Sequence, residues 1–219
     1  MKRLFDIFFS ATALLTLAIP LLILAFAVRW KLGQPVLFRP TRVGLGNKPI
    51  KVVKFRTMTD DRGPDGELLP DEARLTPFGR FLRRSSLDEL PQFWCVLIGD
   101  MSVIGPRPLP PKYLPFYSPE QARRHLVKPG VSGWAQINGR NSLSWEEKFR
   151  LDTWYVDHSS LWLDLKIIWL TIGTVIQRQG INAAGDATVP DFTGSHAPQS
   201  ATGEAALAQN EDLQSHSML

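Results

Sequence analysis

From Ile7 to Val28 the chain is apolar apart from Ser10, Thr12, Thr16 and Pro20, and basic residues flank both ends: Lys2 and Arg3 before, Arg29 and Lys31 after. As one helix this stretch would run about 33 Å, enough to cross a hydrocarbon core of about 30 Å. Three readings fit. A secretory signal peptide would explain Lys2, Arg3 and the cleavage-like Ala25-Phe26-Ala27, but the apolar stretch is longer than such peptides use. A single span would be opposed by charge, because basic residues hold both ends on the cytoplasmic side. A helix that enters one leaflet, breaks near Pro20 and leaves by the same face satisfies the charges, since proline removes a helical hydrogen bond; spanning helices also tolerate proline, so residue physics leaves the last two open. Asp6 is at helical spacing to pair with Lys2 or Arg3.

The remainder is basic. Residues 182–219 contain five acids (Asp186, Asp191, Glu204, Glu211, Asp212) and no lysine or arginine, so all 25 basic residues precede them. Residues 29–59 hold eight bases and no acid. Such a body prefers anionic partners: nucleic acid, phosphorylated small molecules or lipid headgroups. No recognition helix or aromatic sheet motif supports nucleic acid, so none is expected as a partner. Cys95 is the only cysteine and the four histidines lack ligand spacing, which argues against a disulfide framework and a zinc site.

Val36–Phe38 and Ile50–Thr57 read as short strands around a hairpin turn at Gly44-Leu45-Gly46. A polar loop covers 59–72. The segment 76–84 is two-sided, with Phe78, Phe81 and Leu82 opposite Arg80, Arg83 and Arg84; it suits either a membrane surface or the protein core. Helices are expected over Leu87–Ile98, ended by Gly99; from Ser118; from Ser144, with Glu147 completing a capping box; and over Leu161–Ile176, where an apolar stripe predicts core packing although Trp162 and Trp169 also suit an interface. The layout is one mixed α/β unit, helix-rich with a small β-hairpin: an apolar membrane segment over 1–30, a folded body over 31–190, and a disordered tail over 191–219.

Asp88 and Glu89 stand together in "SSLDELPQFW". Ser86 with Glu89 matches a capping box, and the acids then simply complement a helix start. Pro91 fits that reading less well, because it forces irregular backbone beside them. The functional reading uses the same charges. A helix start and nearby arginines favour an ionised carboxylate, an ionised aspartate can attack phosphorus, and adjacent carboxylates suit Mg²⁺ with substrate phosphates. Lys54, Arg56, Arg83, Arg107 and Arg140 lie near turns and element ends, where arginine forks match phosphate.

Four ordered blocks, "KFRTM" (54–58), "LTPFGRFLRRSSLDELPQFW" (75–94), "GDMSVIGPRP" (99–108) and "PGVSGWAQINGRN" (129–141), resemble the bacterial sugar transferase family, the small monotopic phosphoglycosyl transferases. The resemblance implies transfer of a phosphosugar from a UDP-sugar to polyprenol phosphate at the cytosolic face of the bacterial cytoplasmic membrane, with release of UMP, in two steps through an aspartyl phosphosugar. It implies Asp88 as nucleophile, Glu89 as its partner in metal or proton handling, and Mg²⁺ held by these two. It also implies Arg83, Arg107 and Arg140 on phosphate or nucleotide, with Lys54 and Arg56 in support, and a re-entrant helix hinged at Pro20 among membrane lipids. The stretch "INAAGDATVPDFTG" (181–194) is similar to members handling N-acetylated amino sugars. Many members carry serine before the membrane proline; Ile19 here predicts a break without a hydroxyl. Cys95 replaces an asparagine common in the family and is expected to be a buried small hydrophobe. A member of a different class, a catalytically silent membrane scaffold for polysaccharide assembly, would share these blocks but needs no intact Asp88-Glu89.

Overall fold

The apolar N-terminus forms two helices, α1 (Lys2–Thr16) and α2 (Ala18–Leu32), joined at Leu17 with a bend of 63°. The computed structural model describes residues 1–139, 143–177 and 191–194. Among these, no single helix is long and apolar enough to cross a membrane, although the bent pair together passes that test. Pro20 occupies the first turn of α2, so the break falls one turn before it, where proline crowds the carbonyl four residues back. Thr16 Oγ1 donates to the carbonyls of Thr12 (2.9 Å) and Ala13 (3.2 Å) in the last turn of α1. Back-bonding of this kind bends helices, although neither acceptor is the carbonyl that Pro20 frees.

Helix α1 is fastened to the body by its first turn. Lys2 Nζ donates to the Ile104 carbonyl (3.1 Å) and Tyr155 Oη (3.0 Å) and pairs with buried Asp164. Arg3 donates to the carbonyls of Val96 (2.6 Å) and Leu97 (2.8 Å). Asp6, 2% exposed, accepts from Ser102 Oγ and the Val103 amide, both at 2.9 Å. The expected pairing of Asp6 with Lys2 or Arg3 thus does not form; all three side chains are claimed by the body instead. The outward faces of both helices stay apolar, with Leu4, Phe8, Leu15, Ile19, Leu22, Ile23, Phe26 and Trp30 exposed.

The hairpin region splits into two antiparallel pairs. Strand β1 (Leu37–Phe38) pairs with β4 (Lys54–Phe55), and β2 (Thr41–Val43) pairs with β3 (Pro49–Lys51) around the turn at Leu45–Asn47, where Gly46 has φ of 60°. Arg62 and Leu68 bridge within the polar loop. Short α3 (Asp71–Arg74) precedes α4 (Pro77–Arg84), which is capped by Thr76 through the Gly79 amide and seats Leu82 in the core. Phe78 packs inward too, whereas Phe81 is half-exposed.

The helix expected over Leu87–Ile98 is two pieces. A 3₁₀ turn, Leu87–Glu89, is followed across Pro91 by α5 (Gln92–Ile98), closed by Gly99 at φ 99°. Strand β5 (Ser102–Ile104) pairs in parallel with β6 (Gly130–Ser132), joining two sequence blocks that lie apart in the chain. Between them lie α6 (Pro119–Ala122) and a 3₁₀ turn at Arg123–Leu126. Helix α7 (Trp134–Ile137) leads to α8 (Trp145–His158) and α9 (Leu161–Gln177). The capping boxes at Ser118–Gln121 and Ser144–Glu147 both form.

The main core joins Val52, Cys95, Val96, Met101, Ile104 and Tyr155 with Leu163 and Ile167 of α9. Cys95 is fully buried, as expected. The apolar stripe of α9 does not pack inward as the periodicity predicts. Its core contacts come from Leu163 and Ile167, with Ile168 of the stripe partly buried against them, whereas Trp162 and Trp169 are 80% and 76% exposed, with Leu165 and Ile172 also outward. An aromatic cluster of Tyr113, Phe149 and Phe192 closes the other side, and Asp191 accepts from Tyr113 Oη at 2.7 Å. Packing thus reaches residues expected at the start of the tail.

Candidate active site

Ser86 sets the geometry. Its φ of 57° lies in the left-handed region, uncommon for a residue with a Cβ, and it turns the chain sharply between α4 and the 3₁₀ turn that carries Asp88 and Glu89. The Ser86 side chain makes no cap hydrogen bond. The predicted capping box is absent because Glu89 is drawn the other way by two cations. Lys54 Nζ, from β4, and Arg107 Nη2, from the loop after β5, both reach Glu89 Oε1 at 2.7 Å. Lys54 and Arg107, about 50 residues apart in sequence, outcompete a local backbone amide because charge-assisted bonds are the stronger.

The two acids end up electrically distinct. Burial pushes Glu89 upward, but the charges and hydrogen bonds of Arg107 and Lys54 outweigh it and hold its carboxyl well below the usual range. Asp88, 8% exposed, goes the other way. Burial first and the Glu89 charge second raise it to about 6, against the opposing pull of Lys54, Arg107 and Arg83. The cations do pull Asp88 toward ionisation as expected, but burial and the neighbouring Glu89 charge outweigh that pull. Asp88 is ionised for the most part at neutral pH and is more basic than an ordinary aspartate, which favours nucleophilic attack.

Arg83 approaches from α4, with its Nε on Thr57 Oγ1 at 3.0 Å, and burial lowers its pKa. Arg107 is held from behind: Arg124 Nη2 donates to the Arg107 carbonyl at 2.8 Å while pairing with buried Asp152 at 2.7 Å. Arg56 turns elsewhere, donating to the carbonyls of Met58 and Gln34 and pairing with Asp60. Arg140 lies outside the described residues. The structure thus brings Lys54, Arg83, Asp88, Glu89 and Arg107 together, and Arg42 and Gln92, not singled out from the sequence, line a cleft of about 100 Å³ with Lys54 and Arg107. Gln92 lies within the block 75–94, four residues after Asp88, and so could have been found from the motif; Arg42 lies in none of the four blocks, and only the fold brings it to the cleft.

Among the described residues no three acidic, histidine or cysteine side chains gather into a ready-made metal cage. Mg²⁺ does not require one, since it commonly takes one or two carboxylates and completes its shell with water and substrate phosphate. Asp88 and Glu89 fit that partial donor set.

The fold thus sets buried Asp88 beside Glu89, whose carboxylate is held by Lys54 and Arg107. The bacterial sugar transferase family model matches residues 1–178, and the chain belongs to that family. It is 53% identical over 195 residues to the uncharacterized sugar transferase EpsL of Bacillus subtilis, covering 89% of this chain and 96% of that protein. It is 44% identical over 181 residues to the UDP-glucose:undecaprenyl-phosphate glucose-1-phosphate transferase of Klebsiella pneumoniae, covering 78% of this chain and 39% of that one. To the UDP-galactose-lipid carrier transferase of Erwinia amylovora it is 37% identical over 198 residues, covering 82% and 41%. The chain thus spans nearly all of the Bacillus relative but about two fifths of the other two.

Proposed function

We propose that this chain transfers a phosphosugar from a UDP-sugar to undecaprenyl phosphate or a similar polyprenol phosphate, releasing UMP, at the cytosolic face of the bacterial cytoplasmic membrane. The observation that carries the proposal is the split carboxylate pair: Glu89 bound by Lys54 and Arg107, and Asp88 beside it, raised to about 6. The names of the Klebsiella and Erwinia relatives support the reaction class.

In the first step an Asp88 carboxylate oxygen attacks the sugar-bearing phosphorus. The bond from that phosphorus to the bridging oxygen breaks, its electron pair leaves with UMP, and an acyl phosphate forms on Asp88. In the second step a phosphate oxygen of the polyprenol attacks the same phosphorus, the bond to Asp88 breaks, and the carboxylate is regenerated. One activated linkage is exchanged for another each time, so neither step is steeply uphill. Lys54, Arg83 and Arg107 stabilise the charge that develops on the phosphoryl oxygens. Mg²⁺, held by Asp88 and Glu89 with the substrate, would neutralise diphosphate charge.

The exposed apolar faces support a membrane location. A re-entrant α1–α2 pair, broken by the Pro20 turn, would bury the outward Leu22, Phe26 and Trp30, and the outward Trp162 and Trp169 of α9 suit the headgroup level. The basic run 29–59 would lie against anionic lipid.

The test uses the full chain in detergent with undecaprenyl phosphate, Mg²⁺ and a panel of UDP-sugars beginning with UDP-glucose and UDP-galactose. UMP release is expected from at least one, and Asp88→Asn is expected to abolish it with the melting temperature retained. UDP-sugar without acceptor is expected to leave a phosphosugar adduct on Asp88 by rapid-quench mass spectrometry. Near-normal turnover by Asp88→Asn would remove Asp88 as nucleophile.

A further inference from the structure

Gln92 is 2% exposed, and its Nε2 is buried without a hydrogen-bond partner. A buried amide left unpaired is costly, so its position calls for an explanation. The side chain lines the cleft of about 100 Å³, whose cationic wall is Arg42, Lys54 and Arg107 and whose apolar wall is Val52 and Leu109, flanked by Pro108 and Pro110. Among the described residues no acidic or hydroxyl side chain lines it. Arg42 comes from β2, and its guanidinium and that of Arg107, both lining the cleft, repel each other. The cleft therefore concentrates positive charge that the Lys54–Glu89–Arg107 cluster does not absorb.

We infer that this cleft holds the nucleotide half of the donor, with Gln92 reading the pyrimidine and Arg42 joining Lys54 and Arg107 on the phosphate. The inference rests on the reaction proposed above and assigns the half of the donor that departs. A primary amide presents a donor and an acceptor side by side, which complements the adjacent carbonyl and N–H of a uracil edge. The flat hydrocarbon of Val52, Leu109 and the two prolines suits an aromatic ring. A hexose seated there would bury hydroxyls against those same surfaces without partners. The volume suits one small ring rather than a whole nucleoside, leaving ribose and phosphate toward the cations. Arginine forks match a phosphate bearing two charges, as the leaving monophosphate does.

The test measures binding of UMP and of ribose 5-phosphate, which lacks the base, to the detergent-solubilised full chain, together with UMP release from the UDP-sugar it turns over. Gln92→Leu is expected to weaken UMP about tenfold, the loss of roughly one amide pair, and to leave ribose 5-phosphate unchanged. Gln92→Glu keeps the size but sets a carboxylate against carbonyl and phosphate; it is expected to weaken UMP further, and it stands in for Gln92→Leu if that variant does not fold. Arg42→Met is expected to weaken both probes. UMP affinity within twofold of the parent in the folded Gln92 variants overturns the inference, as does an unchanged UMP affinity with a raised KM for UDP-sugar, which would place the sugar half there. If the parent releases UMP from no UDP-sugar, the proposed reaction itself fails, and that result is separate from the binding measurements.

Discussion

Arg124→Met tests how the fold holds the site. Arg124 and Asp152 are 2% and 3% exposed, and the guanidinium reaches Asp152 Oδ2 through Nε at 3.1 Å and Nη2 at 2.7 Å. Removing one partner of such a pair leaves an uncompensated buried charge and costs about 3–5 kcal/mol. For a chain of this size that corresponds to a fall in melting temperature of about 6–20 °C, at roughly 2–4 °C per kcal/mol. The pH dependence has a definite sign. Burial already pushes the Asp152 carboxyl above its ordinary value against the pull of Arg124; without Arg124 the push is unopposed. A carboxyl whose folded pKa exceeds its unfolded one loses stability as pH rises through the folded value, so the deficit of the variant should be small near about pH 4 and grow toward about pH 8. Thermal unfolding by circular dichroism in detergent, run across that range, reads it directly. The double variant Arg124→Met/Asp152→Leu should recover most of the melting temperature, because two apolar side chains replace the pair. Its UMP release should stay depressed, because the Arg107 carbonyl has lost its donor at 2.8 Å. A fall below about 2 °C for Arg124→Met, or a deficit that grows on acidification, would refute the reasoning.

Lys2→Met should lower stability by about 2 kcal/mol, less than Arg124→Met because the Lys2 side chain is 38% exposed, and should speed hydrogen exchange in the first turns of α1; an unchanged exchange rate would show that Lys2 does not fasten the helix. Gly79→Ala would gain about 1 kcal/mol from helix propensity alone, but a Cβ there would stand 1.8 Å from the Thr57 carbonyl oxygen, so net destabilisation of about 1–3 kcal/mol and slower UMP release are expected as α4 and Arg83 shift; a raised melting temperature would contradict this. Pro20→Leu restores the missing helical amide and should straighten the break, moving an N-terminal tag to the opposite side of sealed vesicles; unchanged labelling of the tag by an impermeant reagent would show that Pro20 is not the hinge.

The sequence discloses what local rules govern. Ser118 and Ser144 cap their helices through the residues three positions on, Gly99 ends α5, and the turn at Gly44–Gly46 joins β2 to β3, because each depends on neighbours a few residues away. Where distant partners compete, local rules fail. Glu89 abandons Ser86 for Lys54 and Arg107, Asp6 abandons Lys2 for Ser102 and Val103, and the parallel pairing of β5 with β6 has no local signature. The α9 stripe misled for another reason: periodicity reports that one face is apolar, not whether protein or lipid meets it. The ordered motif blocks hold Asp88, its cations and Gln92, but that Gln92 and Arg42 line one cleft became visible only once the cleft had walls.

The grip of Lys54 and Arg107 on Glu89 has a consequence for the resting enzyme. Under the proposed reaction these cations meet a diphosphate, and Glu89, already paired with both, neutralises part of the attraction they would exert on other anions such as inorganic phosphate. A donor would then have to outcompete one carboxylate for Lys54 and Arg107, which favours ligands offering more charge or better geometry.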